Sequence, residues 1–241
     1  MQDNQIIELH SHILPNMDDG SSNVNTSLTM LRRMTEQGVG IVCATSHYYA
    51  GQNDVLTFCE RRQKAYVDLR AAMVGEAFPE LLPAAEIAYF QQIETQDLTP
   101  LCIQGTRTLM LEMPFADWTD LQVETVTSLA LDHHYNVVLV HPERFCFSDS
   151  NRSQIRRLVQ LPIGLQVNAG SLIRWSTRRQ ALELLQMAPY PLLGSDCHNL
   201  TSRPPNLKRG RNIIRKKLGE RFLEQMDENA EAAVMGLEWS S

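Results

Sequence analysis

Residues 6–12 read Ile-Ile-Glu-Leu-His-Ser-His, a short apolar run that ends in two histidines one residue apart. In an extended strand the side chains at i and i+2 point the same way, so His10 and His12 present two imidazoles to one place. Similar runs recur at Ile6–Leu9, Gly40–Thr45, Leu82–Ile87, Thr108–Met113, Val137–His141, Gly164–Asn168 and Pro191–Ser195. They are largely uninterrupted, as parallel strands buried on both faces are. Between them lie stretches of helical period: Val24–Gln37 closed by Gly38, then Val55–Met73, Leu121–His133, Ser153–Gln160, Arg178–Met187, Asn206–Leu218 and Glu220–Leu237. Strands alternating with helices over this length predict an α/β barrel or a doubly wound sheet.

The rest of the composition narrows the class. The chain has 241 residues, 43% hydrophobic and 21% charged, with a formal net charge of −6. That excludes a disordered or disulfide-framework protein and argues against a general nucleic-acid binder. No stretch approaches the ~20 apolar residues of a membrane span, and the opening MQDNQIIELH does not read as a secretory signal. Cys43, Cys59, Cys102, Cys146 and Cys197 are scattered, with no CxxC pair, which fits free thiols in a reducing cytoplasm. Without a linker or repeat, residues 1–241 read as one domain.

The chemistry collects at strand ends. His10, His12, His47, His141 and His198 sit at or just past the end of a predicted strand. Glu86, Glu112 and Asp196 occupy equivalent places, and Asp18-Asp19-Gly20 forms a turn after the first strand. In a parallel barrel those ends converge on the face where active sites are built. One such acid reads as a helix cap or ion-pair partner, and His-x-His alone as a polar pair at a strand exit. Repetition at most of the strand ends points to a metal cluster. Imidazole nitrogen mixed with carboxylate oxygen suits zinc, manganese or iron rather than calcium. So many donors exceed the needs of one ion, which implies two or three divalent ions with a bridging carboxylate. Such a site polarises a phosphoryl oxygen and generates a metal-bound hydroxide that attacks phosphorus in line.

Arg144 and Arg203 lie on loops leaving the same face, and a guanidinium fork matches phosphate. The alternative for each is an ordinary surface ion pair. Tyr48 and Tyr49 either line a substrate mouth or pack a loop. His133 and His134 are expected to close a helix at its negative end. The basic run Lys208–Lys217 reads as a solvated helix face, with an acidic partner as the alternative. Cys197, between two candidate ligands, is expected to point away from them. No cysteine opens a Gly-rich loop ending in Arg, so a thiol phosphatase is not indicated.

In this order the motifs His10-Ser-His12, Asp18-Asp19-Gly20, Ala-Thr-Ser-His47, Ala85-Glu86-Ile87, Leu-Glu112-Met-Pro, His141-Pro-Glu-Arg144 and Ser-Asp196-Cys-His198-Asn-Leu resemble the polymerase and histidinol phosphatase (PHP) superfamily. The chain is most similar to its manganese-dependent tyrosine-protein phosphatases of bacterial capsule and exopolysaccharide loci, the CpsB/YwqE type. The resemblance runs from about residue 6 to 206. It implies a distorted seven-stranded (βα) barrel of the PHP type, TIM-barrel-like, holding three metals. By that resemblance His10, His12, Glu86 and Asp196 bind the first ion. Glu86 bridges to a second held by Glu112 and His141, while Asp19, His47 and His198 hold the third. Asp19 rather than Asp18 matches the family's aspartate before glycine. Arg144 and Arg203 match its phosphate-binding arginines. One departure is Glu8, where the family usually has Asp; this position is read as supporting a ligand.

The activity implied is hydrolysis of protein phosphotyrosine with two to three divalent ions, manganese first, iron or zinc next. The implied partner is the tyrosine-rich tail of a bacterial tyrosine kinase controlling polysaccharide export, in the cytoplasm, with neither nucleic acid nor membrane insertion involved. The alternatives are a small-molecule phosphatase such as histidinol-phosphate phosphatase, a PHP exonuclease, and an inert metal-binding PHP regulatory domain.

Overall fold

The computed structural model describes residues 6–239, so the ends of the expected 1–241 domain lie outside the described residues. Seven strands alternate with helices: β1 (Ile6–Ser11), β2 (Val39–Tyr48), β3 (Glu80–Ala88), β4 (Thr108–Glu112), β5 (Asn136–Val140), β6 (Gly164–Asn168) and β7 (Tyr190–Gly194). All pair in parallel and in chain order. The seam between β7 and β1 is drawn together by a bridge at Ser11 and Cys197 and by two bonds. Asp196 N donates to His10 O and His12 N to Cys197 O, both at 2.9 Å. The sheet is a nearly closed, irregular (βα) barrel.

The helices are α1 (Val24–Thr35), α2 (Val55–Ala72), α3 (Asp120–Leu131), α4 (Asp149–Leu158), α5 (Ala169–Ile173), α6 (Trp175–Met187), α7 (Leu207–Leu218) and α8 (Glu220–Met235). Side-chain caps set several starts: Asn23 accepts from Thr26 N, Asp54 from Thr57 N, and Thr119 forms a reciprocal box with Gln122. Sequence period begins the fourth helix at Ser153, but Ser148 caps it and it begins at Asp149. As expected, His133 closes the preceding helix, through its backbone: His133 N donates to Ser128 O at 3.0 Å. α3 ends at Leu131, and the carbonyls of both histidines accept from the Arg107 guanidinium at 2.6 and 3.1 Å. In the basic helix α7, Arg211 pairs with Asp227 and Arg215 with Glu220, while Lys208, Arg209, Lys216 and Lys217 face solvent.

Strand alternation divides the core in two. Val42, Leu109, Leu111, Val137, Leu139, Leu165 and Val167 pack outward with helix residues such as Met30, Leu31, Val126 and Leu158. Cys43, Ala84, Met110, Val138 and Leu192 form an inner cluster with Ala230, Ala233 and Trp239. The carboxyl-terminal segment caps the amino end of the barrel. Thr108 Oγ1 donates to Ala233 O at 2.7 Å, Asn136 Nδ2 to Leu237 O at 2.9 Å and Asn229 Nδ2 to Pro191 O at 3.1 Å. A Cβ on Gly164 would lie 2.6 Å from the Trp239 ring, so this plug needs glycine there. With the amino end plugged, the same inner faces continue upward from Ala84 to Glu86, from Met110 to Glu112 and from Cys43 to His47. The interior is apolar below and charged above. No helix among the described residues is long and apolar enough to cross a membrane.

Candidate metal centre

Each donor is delivered by a strand end. β1 brings His10 and His12, but its register with β2 shifts between Glu8 and Ser11, three steps of β1 matching two of β2 from Val42 to Ala44. This bulge re-aims the strand just before the histidines. Glu8 fills the break: its Oε1 accepts from Ser195 N at 2.8 Å and His10 N at 3.1 Å, tying β1 to β7. The carboxylate supports the backbone of a ligand-bearing strand, and burial pushes its pKa up to about 7.

Glu86 lies at the centre, fully buried. Its Oε2 is 3.1 Å from His10 Nε2, 3.1 Å from His12 Nε2 and 3.0 Å from His47 Nδ1, while Oε1 is 2.7 Å from His141 Nε2. Glu112 Oε1 is 3.6 Å from His141 Nε2. Asp196 Oδ1 lies 3.7 Å from His10 Nε2 and 3.5 Å from both His12 Nε2 and His198 Nδ1. Asp19 Oδ1 lies 3.2 Å from His198 Nε2 and 3.6 Å from His47 Nε2. All nine expected ligand residues therefore meet.

Donor atoms fall into three groups, each drawn together within 4.8 Å: His10, His12, Glu86 and Asp196; His12, Asp19, His47 and His198; and His47, Glu86 and Glu112. The first coincides with the set expected for one ion. The second adds His12 to the expected set, and the third has His47 where the resemblance implies His141.

Residues without metal-binding credentials in the sequence hold these donors in place. His10 Nδ1 is 2.7 Å from Gln166 Oε1, and His12 Nδ1 is 2.8 Å from Asp18 Oδ2. An acceptor behind Nδ1 keeps the proton there and leaves the Nε2 lone pair facing the centre. Gln166 Nε2 donates to Asn168 Oδ1 at 2.9 Å, and Asn168 Nδ2 donates to Asp196 Oδ2 at 2.8 Å. β6 thus adds no residue to the three donor groups but orients two of their members. Asp18 also accepts from His47 N at 2.8 Å and Gly20 N at 2.9 Å. A Cβ on Gly20 would lie 2.4 Å from His12 Cβ, so the turn closes this tightly only with glycine. Sequence reading missed Gln166 and Asn168; the available signal was their place on the inner face at the end of a predicted strand.

Two of the five non-glycine residues with positive φ among the described residues lie at the same place. His141 (φ 36°) and Asp196 (φ 53°) adopt the left-handed conformation, disfavoured for residues with a Cβ. Each immediately follows, or nearly follows, a strand, and the twist turns its side chain over the barrel mouth. Functional sites store strain of this kind.

The charge balance fits metal cations. Burial alone would push Glu86 and Asp196 up, but the surrounding imidazoles and hydrogen bonds outweigh it and hold both well below the carboxylate range. Glu112 goes the other way, to about 7, through burial and the Glu86 carboxylate beside it. Burial and His12 push His198 down to about 4, so its imidazole is neutral near neutral pH, as a ligand must be. Among the described residues the permanent cations paired with the cluster's carboxylates are Arg144, against Asp196, and Arg203, against Asp19 and Asp196. Glu86 Oε2, His47 Nδ1 and His198 Nε2 are buried without a hydrogen-bond partner, all aimed into the cluster. Buried donors of this kind and excess negative charge are what divalent ions satisfy.

Arg144 Nη1 is 3.6 Å from Asp196 Oδ2, and Arg203 Nη2 is 2.8 Å from Asp196 Oδ1. Arg203 is carried by a loop that Asn199 organises, its Oδ1 accepting from Thr201 N at 3.0 Å and Arg203 N at 3.1 Å. Both guanidinium groups are partly exposed on the open side of the cluster. Tyr48 is core, whereas Tyr49 stands at the mouth, its ring 5.3 Å from that of His47. Cys197 packs in the outer apolar core and its thiol is pushed well up, mainly by burial.

The chain matches known proteins over nearly its whole length. The family model described as "Capsular polysaccharide synthesis, CpsB/CapC" matches residues 6–235. Tyrosine-protein phosphatase YwqE of Bacillus subtilis is 28% identical over 235 residues, covering 94% of this chain and 90% of the relative. Tyrosine-protein phosphatase CpsB of Streptococcus pneumoniae is 27% identical over 237 residues, covering 92% and 94%. A solved structure from work on YwqE of Bacillus subtilis and CpsB of Streptococcus pneumoniae, described as "unique metal-dependent tyrosine phosphatases", superposes with a TM-score of 0.84 at 25% identity, covering 96% of this chain and 95% of that one. Histidinol phosphate phosphatase of Lactococcus lactis shares the fold at a TM-score of 0.57 and 14% identity, covering 87% and 92%. The chain belongs to the CpsB/CapC family of capsular polysaccharide synthesis proteins.

Proposed function

We propose that this chain is a metal-dependent phosphatase that hydrolyses phosphotyrosine in proteins. The observation that carries the reading is the placement of Glu86 among four imidazoles, with two guanidinium groups on the open side of the same cluster. Relatives of nearly the same extent, named tyrosine-protein phosphatases, support the choice of substrate. His10, His12, Glu86 and Asp196 hold one ion, Glu86, Glu112 and His141 a second, and Asp19, His47 and His198 a third, with manganese the preferred metal. Bound there, the ions supply Lewis-acid charge toward the phosphoryl group and a water that is acidic near neutral pH.

The chain's own residues do the rest. Arg144 and Arg203 donate to phosphate oxygens and set the phosphate over the carboxylate cluster, offsetting repulsion between phosphate and carboxylates. Their forks fix its orientation as well as its charge. Gln166 and Asp18 keep the first two imidazoles aimed, so ordering is not repeated at each turnover. Among the described residues no cysteine belongs to the donor groups, and no covalent phosphoenzyme is required. The partner is the tyrosine-rich tail of a bacterial tyrosine kinase that controls polysaccharide export, met in the cytoplasm.

The test compares a phosphotyrosyl peptide, a phosphoseryl peptide and histidinol phosphate as substrates with Mn²⁺ added. The expected order puts the phosphotyrosyl peptide first. Preference for histidinol phosphate overturns the reading in favour of a small-molecule phosphatase.

A further inference from the structure

Among the described residues the exposed aromatic side chains are Tyr49, Phe115, Phe147 and Trp175. Tyr49 and Phe115 lie just past the ends of β2 and β4, Phe147 between β5 and α4, and Trp175 at the start of α6, beyond the short helix α5 that follows β6. They therefore stand on the face that carries the metal centre. Exposed aliphatic residues at the other end, such as Leu131 and Met235, close helices α3 and α8. Open aromatic surface beside a polar cluster can line a binding surface.

Two of these rings are linked directly to the site. Phe115 is 63% exposed and rests against Phe145, ring centroids 4.7 Å apart. The Arg144 guanidinium lies 5.7 Å from the Phe115 ring centroid, and the same guanidinium is 3.6 Å from Asp196. The anion-binding fork and an open aromatic surface thus adjoin. Tyr49 stacks on His47 at 27° between ring planes, and its phenol lies in the field of Glu112, Glu86 and Asp19. β2 and β4 flank β3, so their ends are separated by about 10 Å, and Tyr49 and Phe115 leave strand ends on either side of the strand that carries Glu86.

We propose that Phe115 and Tyr49 form an aryl subsite that takes the phenyl ring of a phosphotyrosine whose phosphate lies against Arg144, and so set the preference for aryl over alkyl phosphates. The inference rests on the phosphatase reading above and names the side chains that select its substrate. Ring–ring contact adds to the burial of apolar area and favours offset or edge-on packing, which two walls on separate loops supply. A phosphoserine offers no ring to either wall.

The test uses metal-loaded protein and two non-hydrolysable probes, phenylphosphonate and methylphosphonate, with affinities read by calorimetry. The wild type is expected to bind the phenyl compound more tightly. Phe115→Ala and Tyr49→Ala are each expected to lose up to about tenfold in phenylphosphonate affinity, with methylphosphonate affinity and bound metal unchanged. Phe115→Leu restores part of the loss, and Leu121→Ala, on the exposed surface of α3, changes neither. Equal affinity of the wild type for both probes, or an unaltered preference in both alanine variants, overturns the subsite. If phosphotyrosyl peptide is still hydrolysed in that case, the phosphatase reading stands and only the subsite falls. If neither probe binds and no phosphotyrosyl peptide is hydrolysed, both fall.

Discussion

Asp18 Oδ2 stands 2.8 Å behind Nδ1 of His12, so the aspartate that does not face the cluster is the one that aims its histidine. Its neighbour Asp19 points the other way, toward His198, and is far more exposed, 66% of its side chain against 6% for Asp18. Of two adjacent carboxylates, one thus joins the donor cluster and the other supports it. Asp18→Asn keeps the shape but presents an amide that cannot hold an imidazolium-like dipole as a carboxylate does. Metal affinity is expected to fall about 10–100-fold, measured by competition with a chromophoric chelator. Unchanged affinity in Asp18→Asn and Asp18→Ala would show that His12 needs no support.

Gln166 gives a second test of the supporting network. Gln166→Leu removes the acceptor behind His10 and the donor to Asn168, and leaves Asn168 to hold Asp196 without its own anchor. The expected loss is again about 10–100-fold in metal affinity, with the apo fold retained by circular dichroism. Full affinity in Gln166→Leu contradicts the role given to β6.

The cysteines are expected to be dispensable for chemistry. Burial pushes the thiols of Cys43, Cys102, Cys146 and Cys197 up, away from the thiolate a nucleophile needs. Serine at each position in turn should leave turnover substantially intact with metal bound. At Cys43 and Cys197, fully buried, the new hydroxyl costs stability of about 1–3 kcal/mol, read by urea denaturation. Abolished turnover in any single variant with full metal content revives a thiol mechanism.

Arg144 and Arg203 separate phosphate binding from metal binding. A guanidinium offers no lone pair, and removing a cation beside Asp196 favours neighbouring cations rather than repelling them. Arg144→Ala and Arg203→Ala should therefore keep their metal while turnover falls on the order of 10²–10³. Lysine should rescue in part, as a point charge without the fork. Near-normal kcat/KM in both alanine variants would make the arginines surface residues.

The legible part of this fold was the part written in periodicity and residue type. All seven strands follow from apolar runs, and the convergence of their ends from the histidines and carboxylates that close all of those runs but the sixth. What escaped was written in partners. The five-residue helix α5 is too short to show a period. Ser148 starts α4 four residues ahead of where Ser153 opens the apolar pattern, since Asp149–Arg152 carries no apolar residue. The β1 bulge depends on a glutamate whose carboxylate meets backbone from β7, a contact between residues 187 apart in sequence. Gln166 and Asn168 look like ordinary strand polar residues until β6 is set beside β7 and β1. Tyr48 and Tyr49 differ only in which side of one strand end they leave.

The central claim is that phosphotyrosine hydrolysis depends on ions held by the strand-end cluster. It is tested most directly by stripping the protein with a chelator, confirming the loss by elemental analysis, and measuring phosphate release from a phosphotyrosyl peptide before and after Mn²⁺ is restored. The predicted result is loss of activity on stripping and recovery on adding back metal, with two to three ions bound per chain. Full hydrolysis by the verified metal-free protein contradicts the account.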